Sequence, residues 1–226
     1  MKISMTLSIL VICLFSSCKK KEILPSPDSS SKAYSNIVIL GNSITYAPGT
    51  PGSEWIGPWG MAASAPEFDY VNLLTTEFRK KNTSAKVSIK NIAAFEREYS
   101  SYDLEANLAE LKRLKPDLLI IRIGENAQIS NQHSDEFARR YSDLITFFKQ
   151  DNPNIKVLAV GSIWINDVVD KIMAEKSDFI PLKPLNSDFT NFAYGNFRDI
   201  GIQQHPSDIG MANIKNLIWA KIETLR

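Results

Sequence analysis

Cysteine is almost absent from this 226-residue chain. Only Cys13 and Cys18 occur, both within the first 18 positions, so neither a disulfide framework nor a thiolate metal site can be built in the body of the protein. Histidine is as scarce, with His133 and His205 alone, and no metal or other cofactor is implied. An excess of one charge is lacking too. Lysine and arginine number 26 against 25 aspartates and glutamates, for a net charge of +1. The body carries no basic block, which argues against nucleic acid as a partner, since such binding relies on neutralising phosphates. Long hydrophobic runs are missing as well, and the one apolar stretch, 6–15, is too short to cross a bilayer. What is present, 44% hydrophobic and 23% charged residues, is the make-up of a globular protein long enough for one α/β domain with a substantial core.

The first 18 residues read as a signal peptide, with Lys2 before the apolar run. Ser16-Ser17-Cys18 resembles a bacterial lipoprotein processing site, where cleavage exposes the cysteine for lipidation; Phe15 stands where that pattern prefers leucine. More than one acyl chain on Cys18 would make the anchor stable. The alternative is a plain secretory signal with a coincidental cysteine. The expectation is a bacterial extracytoplasmic lipoprotein, held to the membrane through Cys18, in the periplasm or at the cell surface. Residues 19–34 follow as a polar tether with Pro25 and Pro27, and a single domain is expected over 35–226.

Within that domain, Ile37-Val38-Ile39-Leu40 breaks at Gly41-Asn42-Ser43, as a buried parallel strand does at its carboxyl end. Ligands bind at that end in open α/β sheets, so Ser43 is a candidate nucleophile; as turn chemistry alone, Gly-Asn-Ser is ordinary. The aromatic stretch 47–66 follows. Its Trp55 and Trp59 either wall a substrate pocket or cover the sheet edge. Further strands are predicted over 85–93, 117–123, 155–160 and 179–185. Helices are predicted over 69–81, 104–114, 134–150, 163–175 and 207–225, the last capped by Ser207. Arg122, a cation inside an apolar strand, needs a partner such as a carboxylate if buried. The alternation implies a flavodoxin-like three-layer sandwich around a central, mostly parallel five-stranded sheet.

Three polar turns then fall at one sheet rim: Gly41-Asn42-Ser43, Gly124-Glu125-Asn126 and His205-Pro206-Ser207-Asp208. Acyl transfer needs a nucleophile, a base and oxyanion donors, and Ser43, His205 and Asn126 are those residue types. With these turns in this order over 36–226, the chain resembles the SGNH (GDSL-like) hydrolases. The resemblance implies Ser43 as nucleophile, His205 as base, and an oxyanion hole made by the Ser43 backbone N–H and the Asn126 side-chain amide. It implies a serine esterase of small acyl, mainly acetyl, esters on carbohydrate, working through an acyl-enzyme. Lipid acyl esters are the alternative substrate. A non-catalytic carbohydrate-binding lipoprotein on the same fold is the alternative function.

The chain departs from the family pattern at three places. Asn42 replaces the usual aspartate. Glu96 falls where a glycine normally offers its backbone N–H to the oxyanion, so that N–H is a further candidate donor. Ile202 occupies the place of the triad acid three residues before His205. That acid holds the imidazole tautomer. Its role could fall to a backbone carbonyl, giving a Ser-His dyad, or to Glu125, Glu96, Asp199 or Asp208, with Glu125 foremost as neighbour of Asn126; or the site could be inactive.

Overall fold

A computed structural model describes residues 33–130 and 132–225. The expected signal peptide, Cys18 and the tether up to residue 32 lie outside them. The domain takes in the last tether position, because Tyr34 is 2% exposed and packs edge-on against Phe78.

Five strands, β1 (Asn36–Gly41), β2 (Lys86–Asn91), β3 (Leu118–Arg122), β4 (Lys156–Val160) and β5 (Asp178–Ile180), form one sheet in the order β2-β1-β3-β4-β5. Every pairing is parallel. The helices are α1 (Tyr70–Lys81), α2 (Ala93–Glu98), α3 (Leu104–Arg113), α4 (Ser134–Lys149), α5 (Asp167–Lys176), α6 (Ile200–Gln203) and α7 (Asp208–Ile222).

The apolar runs of β1, β3 and β4 are explained by burial on both faces. Ile37, Ile39, Leu118, Ile120, Leu158 and Val160 point to one side, onto α1 and α7. Val38, Leu40, Leu119, Ile121, Val157 and Ala159 point to the other, onto α3, α4 and α5. The result is the three-layer α/β sandwich. Side chains cap the helix starts: Ser207, as the sequence suggests, accepts from the Gly210 N–H at α7, and Asp69, expected inside the helix, instead caps α1 by accepting from the Asn72 N–H.

Two elements differ from expectation beyond fraying at their ends. The helix predicted from 163 begins at Asp167, because Asn166 accepts from the Val169 N–H and caps it there. The fifth strand is confined to 178–180, since Pro181 cannot continue a ladder and Lys183–Ser187 turns into a 3₁₀ helix. Short helices α2 and α6 are additions to the predicted set. Both are too brief to show a 3.6-residue period, and both carry site residues.

Candidate active site

The first strand delivers Ser43. At its end a side chain on Gly41 would be impossible: a Cβ would lie 1.8 Å from Thr45 Oγ1 and 3.0 Å from the Arg122 carbonyl. The bare glycine lets the chain turn there, and the Asn42 carbonyl then accepts from the N–H groups of Thr45 (2.9 Å) and Tyr46 (3.0 Å). The Asn42 side-chain oxygen accepts from the Ile44 N–H at 3.2 Å, an Asx turn that aims Ser43 outward at the sheet rim. Among the described residues no acceptor takes the Ser43 backbone N–H.

The turn that ends helix α6 delivers the imidazole. His205 Nε2 lies 2.8 Å from Ser43 Oγ, across 162 positions of sequence. Its Nδ1 lies 2.8 Å from the Gly201 carbonyl oxygen. A carbonyl can only accept, so Nδ1 carries the hydrogen and a neutral ring presents a lone pair at Nε2. That tautomer suits a base facing a hydroxyl. His205 is 7% exposed, and the indole of Trp164 stands edge-on to its ring, centroids 5.2 Å apart. Burial pushes the imidazole below its ordinary value of 6.5, while the bond to Gly201 pulls the other way.

None of the carboxylates considered for the triad acid bonds this ring. Glu125 is spent elsewhere: it pairs with Arg122, accepts from Asn42 Nδ2 at 2.7 Å, and accepts from the Ile163 N–H at 3.0 Å. Asp199 caps α6 through the Gly201 N–H. Asp208 holds Ser64, through its N–H at 2.8 Å and its hydroxyl at 2.6 Å. Ile202, at the position of the missing acid, packs in an apolar cluster with Ala47, Trp55, Ala62 and Ala193.

Glu96 is the residue the sequence placed least well. Its backbone N–H, expected to face an oxyanion, donates to the Ile92 carbonyl at 3.4 Å as the first turn of α2 forms. The side chain is the active part. It is fully buried and accepts from the Gly124 N–H (2.5 Å), the Asn126 N–H (3.3 Å), Asn126 Nδ2 (2.8 Å) and Asn42 Nδ2 (3.3 Å). Burial, seconded by the Glu125 charge, pushes its carboxyl upward. Arg122, wholly buried, completes the cluster by donating from Nη1 to Asn42 Oδ1 at 2.8 Å and from Nη2 to Glu125. Glu125 is thus the carboxylate partner that a buried cation in this strand requires.

The tryptophans do not wall a pocket with open faces. Trp55 is 3% exposed and donates from its indole to the Ala47 carbonyl at 2.8 Å. Trp59 meets it edge-on at 5.1 Å and donates to the Ala63 carbonyl at 2.8 Å. Both indole N–H groups bond carbonyls of the 47–66 loop itself, with Trp55 buried and Trp59 half-buried against it. Aromatic surface near the site comes from another quarter. Trp164, Asn186, Phe189, Phe192, Tyr194 and Gln204 line a hollow of about 230 Å³ beside His205. Phe189 and Tyr194 are 75% and 44% exposed there. The sequence gives no periodic signal for this irregular stretch, and only the exposure of its rings reveals it.

Residues 39–180 match the pattern of the GDSL-like Lipase/Acylhydrolase family. No curated protein matches the chain. Among solved structures, the chain is similar to a two-domain esterase active on acetylated mannans, crystallised with mannopentaose. The identity is 20% and the TM-score 0.56, over 84% of this chain and 50% of that one. It is also similar to a family two carbohydrate esterase from Cellvibrio japonicus, at 15% identity and TM-score 0.51, over 84% and 62% of the two chains. A family 3 carbohydrate esterase from Talaromyces cellulolyticus, at 13% identity and TM-score 0.52, is covered in full by 85% of this chain. The chain spans about half the length of the two-domain esterase. At these identities the likeness is one of fold.

Proposed function

Because this chain belongs to the GDSL-like lipase and acylhydrolase family of ester hydrolases, we propose that it is a serine esterase running on a Ser43–His205 dyad and acting on acetyl esters borne by saccharides. The observation that carries the reading is the single hydrogen-bonded line from Ser43 Oγ through the His205 ring to the Gly201 carbonyl, with 2.8 Å at each step.

In the proposed cycle, His205 Nε2 takes the Ser43 proton as Oγ attacks the ester carbonyl carbon. The Ser43 backbone N–H and Asn126 Nδ2 receive the oxyanion. The imidazolium returns its proton to the leaving alcohol, and the acyl group stays on Oγ. Water then enters by the same route: His205 takes one of its protons as its oxygen attacks the acyl carbonyl, and then returns that proton to Ser43 Oγ as the acyl C–Oγ bond breaks and the free acid leaves. The Gly201 carbonyl does part of the work of a triad acid. It fixes the tautomer and accepts from the imidazolium, but with a dipole rather than a full charge.

Saccharide as the alcohol is supported by two things. The solved structures of similar fold include esterases of acetylated mannans and other carbohydrates. The hollow beside His205 offers exposed Phe189 and Tyr194 rings, against which the C–H face of a pyranose packs, and the Gln204 amide for its hydroxyls. The test is acetate release from p-nitrophenyl acetate and from acetylated mannotriose. Replacing Ser43 by alanine is expected to cut kcat/KM by about 10³-fold or more on both. Equal rates for the mutant and the wild type would end the esterase reading. A wild type that cleaves the small ester and ignores the oligosaccharide would end the saccharide reading alone.

The extracytoplasmic lipoprotein form is part of the same proposal and rests on Ser16-Ser17-Cys18. Metabolic labelling with a radioactive fatty acid in a bacterial host is expected to mark the protein and to be lost in Cys18→Ala. Equal labelling, or none in either, would reject it.

A further inference from the structure

We propose that Glu96 is the positioning residue of the oxyanion hole, holding the Asn126 amide with its nitrogen toward the reacting carbonyl, and that Asn42 is what allows a carboxylate to sit there. The proposal rests on the esterase reading above and deepens it.

A side-chain amide has two nearly isosteric faces. With its nitrogen toward an oxyanion it stabilises the charge; turned half a revolution, it presents an oxygen and repels it. Something must choose. Glu96 Oε2 lies 2.8 Å from Asn126 Nδ2, and a carboxyl group on which three further N–H groups converge acts as an acceptor, which the amide nitrogen satisfies and the amide oxygen does not. Nδ2 carries two hydrogens, so one goes to Glu96 and the other stays available to substrate. The same carboxylate pins the backbone under that amide, taking the N–H groups of Gly124 and Asn126 on Oε1. Gly124 has φ of +133°, a conformation side chains avoid, so this turn needs outside support. Glu96 gives it three hydrogen bonds.

The cost is a buried negative charge next to a site that generates another. Asn42 answers it. Its Nδ2 donates to Glu96 Oε1 at 3.3 Å and to Glu125 Oε2 at 2.7 Å, while its Oδ1 accepts from Arg122 Nη1 at 2.8 Å. Every face of the amide is used with the right polarity. An aspartate at this position would have no hydrogen to give. It would set a third carboxylate at those distances from two others, with Arg122 the one cation in contact among the described residues. The amide at 42 and the carboxylate at 96 therefore belong together. Two departures from the usual family pattern are one device.

The test is a double-mutant cycle of Glu96→Gln and Asn126→Ala, read in kcat and KM on p-nitrophenyl acetate. The substituted amide sets an N–H group against the donors that Glu96 now receives. We expect kcat to fall about tenfold or more with KM changed little, and the loss to disappear in the Asn126→Ala background, where no amide remains to be oriented. A residue that merely filled space would lower kcat by the same factor in both backgrounds, and that result overturns the proposal, as does an unchanged kcat in Glu96→Gln. Should Glu96→Gln not fold, Glu96→Ala carries the same cycle with the same two outcomes. Asn42 is read by thermal melting: Asn42→Asp is expected to lower Tm less in the Glu96→Gln background than in the wild type, and equal falls remove its part in the device. Failure of the esterase reading is seen separately, as Ser43→Ala and wild type hydrolysing at one rate.

Discussion

His205 is a base that works only when neutral, and its surroundings keep it so. Burial holds its pKa below 6.5 against the pull of the Gly201 carbonyl. The acid limb of kcat/KM, which reports the free enzyme's base, is therefore expected to have its midpoint below pH 6.5; a midpoint above that value in the hydrolysis of p-nitrophenyl acetate would contradict the environment described. The sign for stability agrees. A folded-state pKa lowered from the unfolded value contributes stability above pH 6.5 that is lost as pH falls through the lower value. Of the residues that hold this ring, Ser43 and His205 are legible from turn composition and order along the chain. The partner of Nδ1 is not, since any backbone carbonyl is written identically in a sequence.

At the scale of an element, α6 is a single short turn whose task is to carry that carbonyl. Asp199 caps it by accepting from the Gly201 N–H at 2.7 Å, and so steadies the residue whose carbonyl faces His205. Replacing Asp199 by alanine is expected to cost about 1 kcal/mol of stability, the ordinary value of a lost N-cap, and to lower kcat more than KM, because the imidazole loses its fixed tautomer partner. Urea unfolding and steady-state kinetics check the two halves; an unchanged kcat would show that α6 holds its place without the cap. Helix α2 does the equivalent service for the oxyanion side. The long helices and the four longer strands can be read from their periods. These two short helices cannot, and the family pattern points to the Glu96 backbone where the structure uses the side chain.

Over the whole molecule, two buried acid groups at the sheet rim oppose His205 in their response to pH. Asp170, on α5, accepts from the Ser162 N–H at 3.1 Å, and its oxygens lie 2.7 Å from where a Cβ on Gly161 would be, so it joins α5 to the end of β4. Burial pushes its pKa up from 3.8 to about 6. Glu96 is shifted in the same direction. A raised carboxylate favours folding when protonated, a contribution present below pH 3.8 and lost as pH rises through about 6. The wild type is expected to lose stability over that interval relative to Asp170→Asn, measured as the urea midpoint at both ends. Parallel curves for the two proteins would remove Asp170 from the pH response.

The order of strands and long helices, the burial of the sheet on both faces and the three polar turns were determined by the sequence itself, because periodicity and turn chemistry are local and each residue type has few places it can go. What only the tertiary structure decided is which polar group meets which. Glu125, nearest Asn126 in sequence, was drawn off by Arg122. Glu96, 30 positions away, took the Asn126 amide. A carbonyl from α6 took the imidazole. Hydrogen-bond partners are chosen by distances of a few ångströms between elements far apart in the chain, and no pattern along one dimension records those distances.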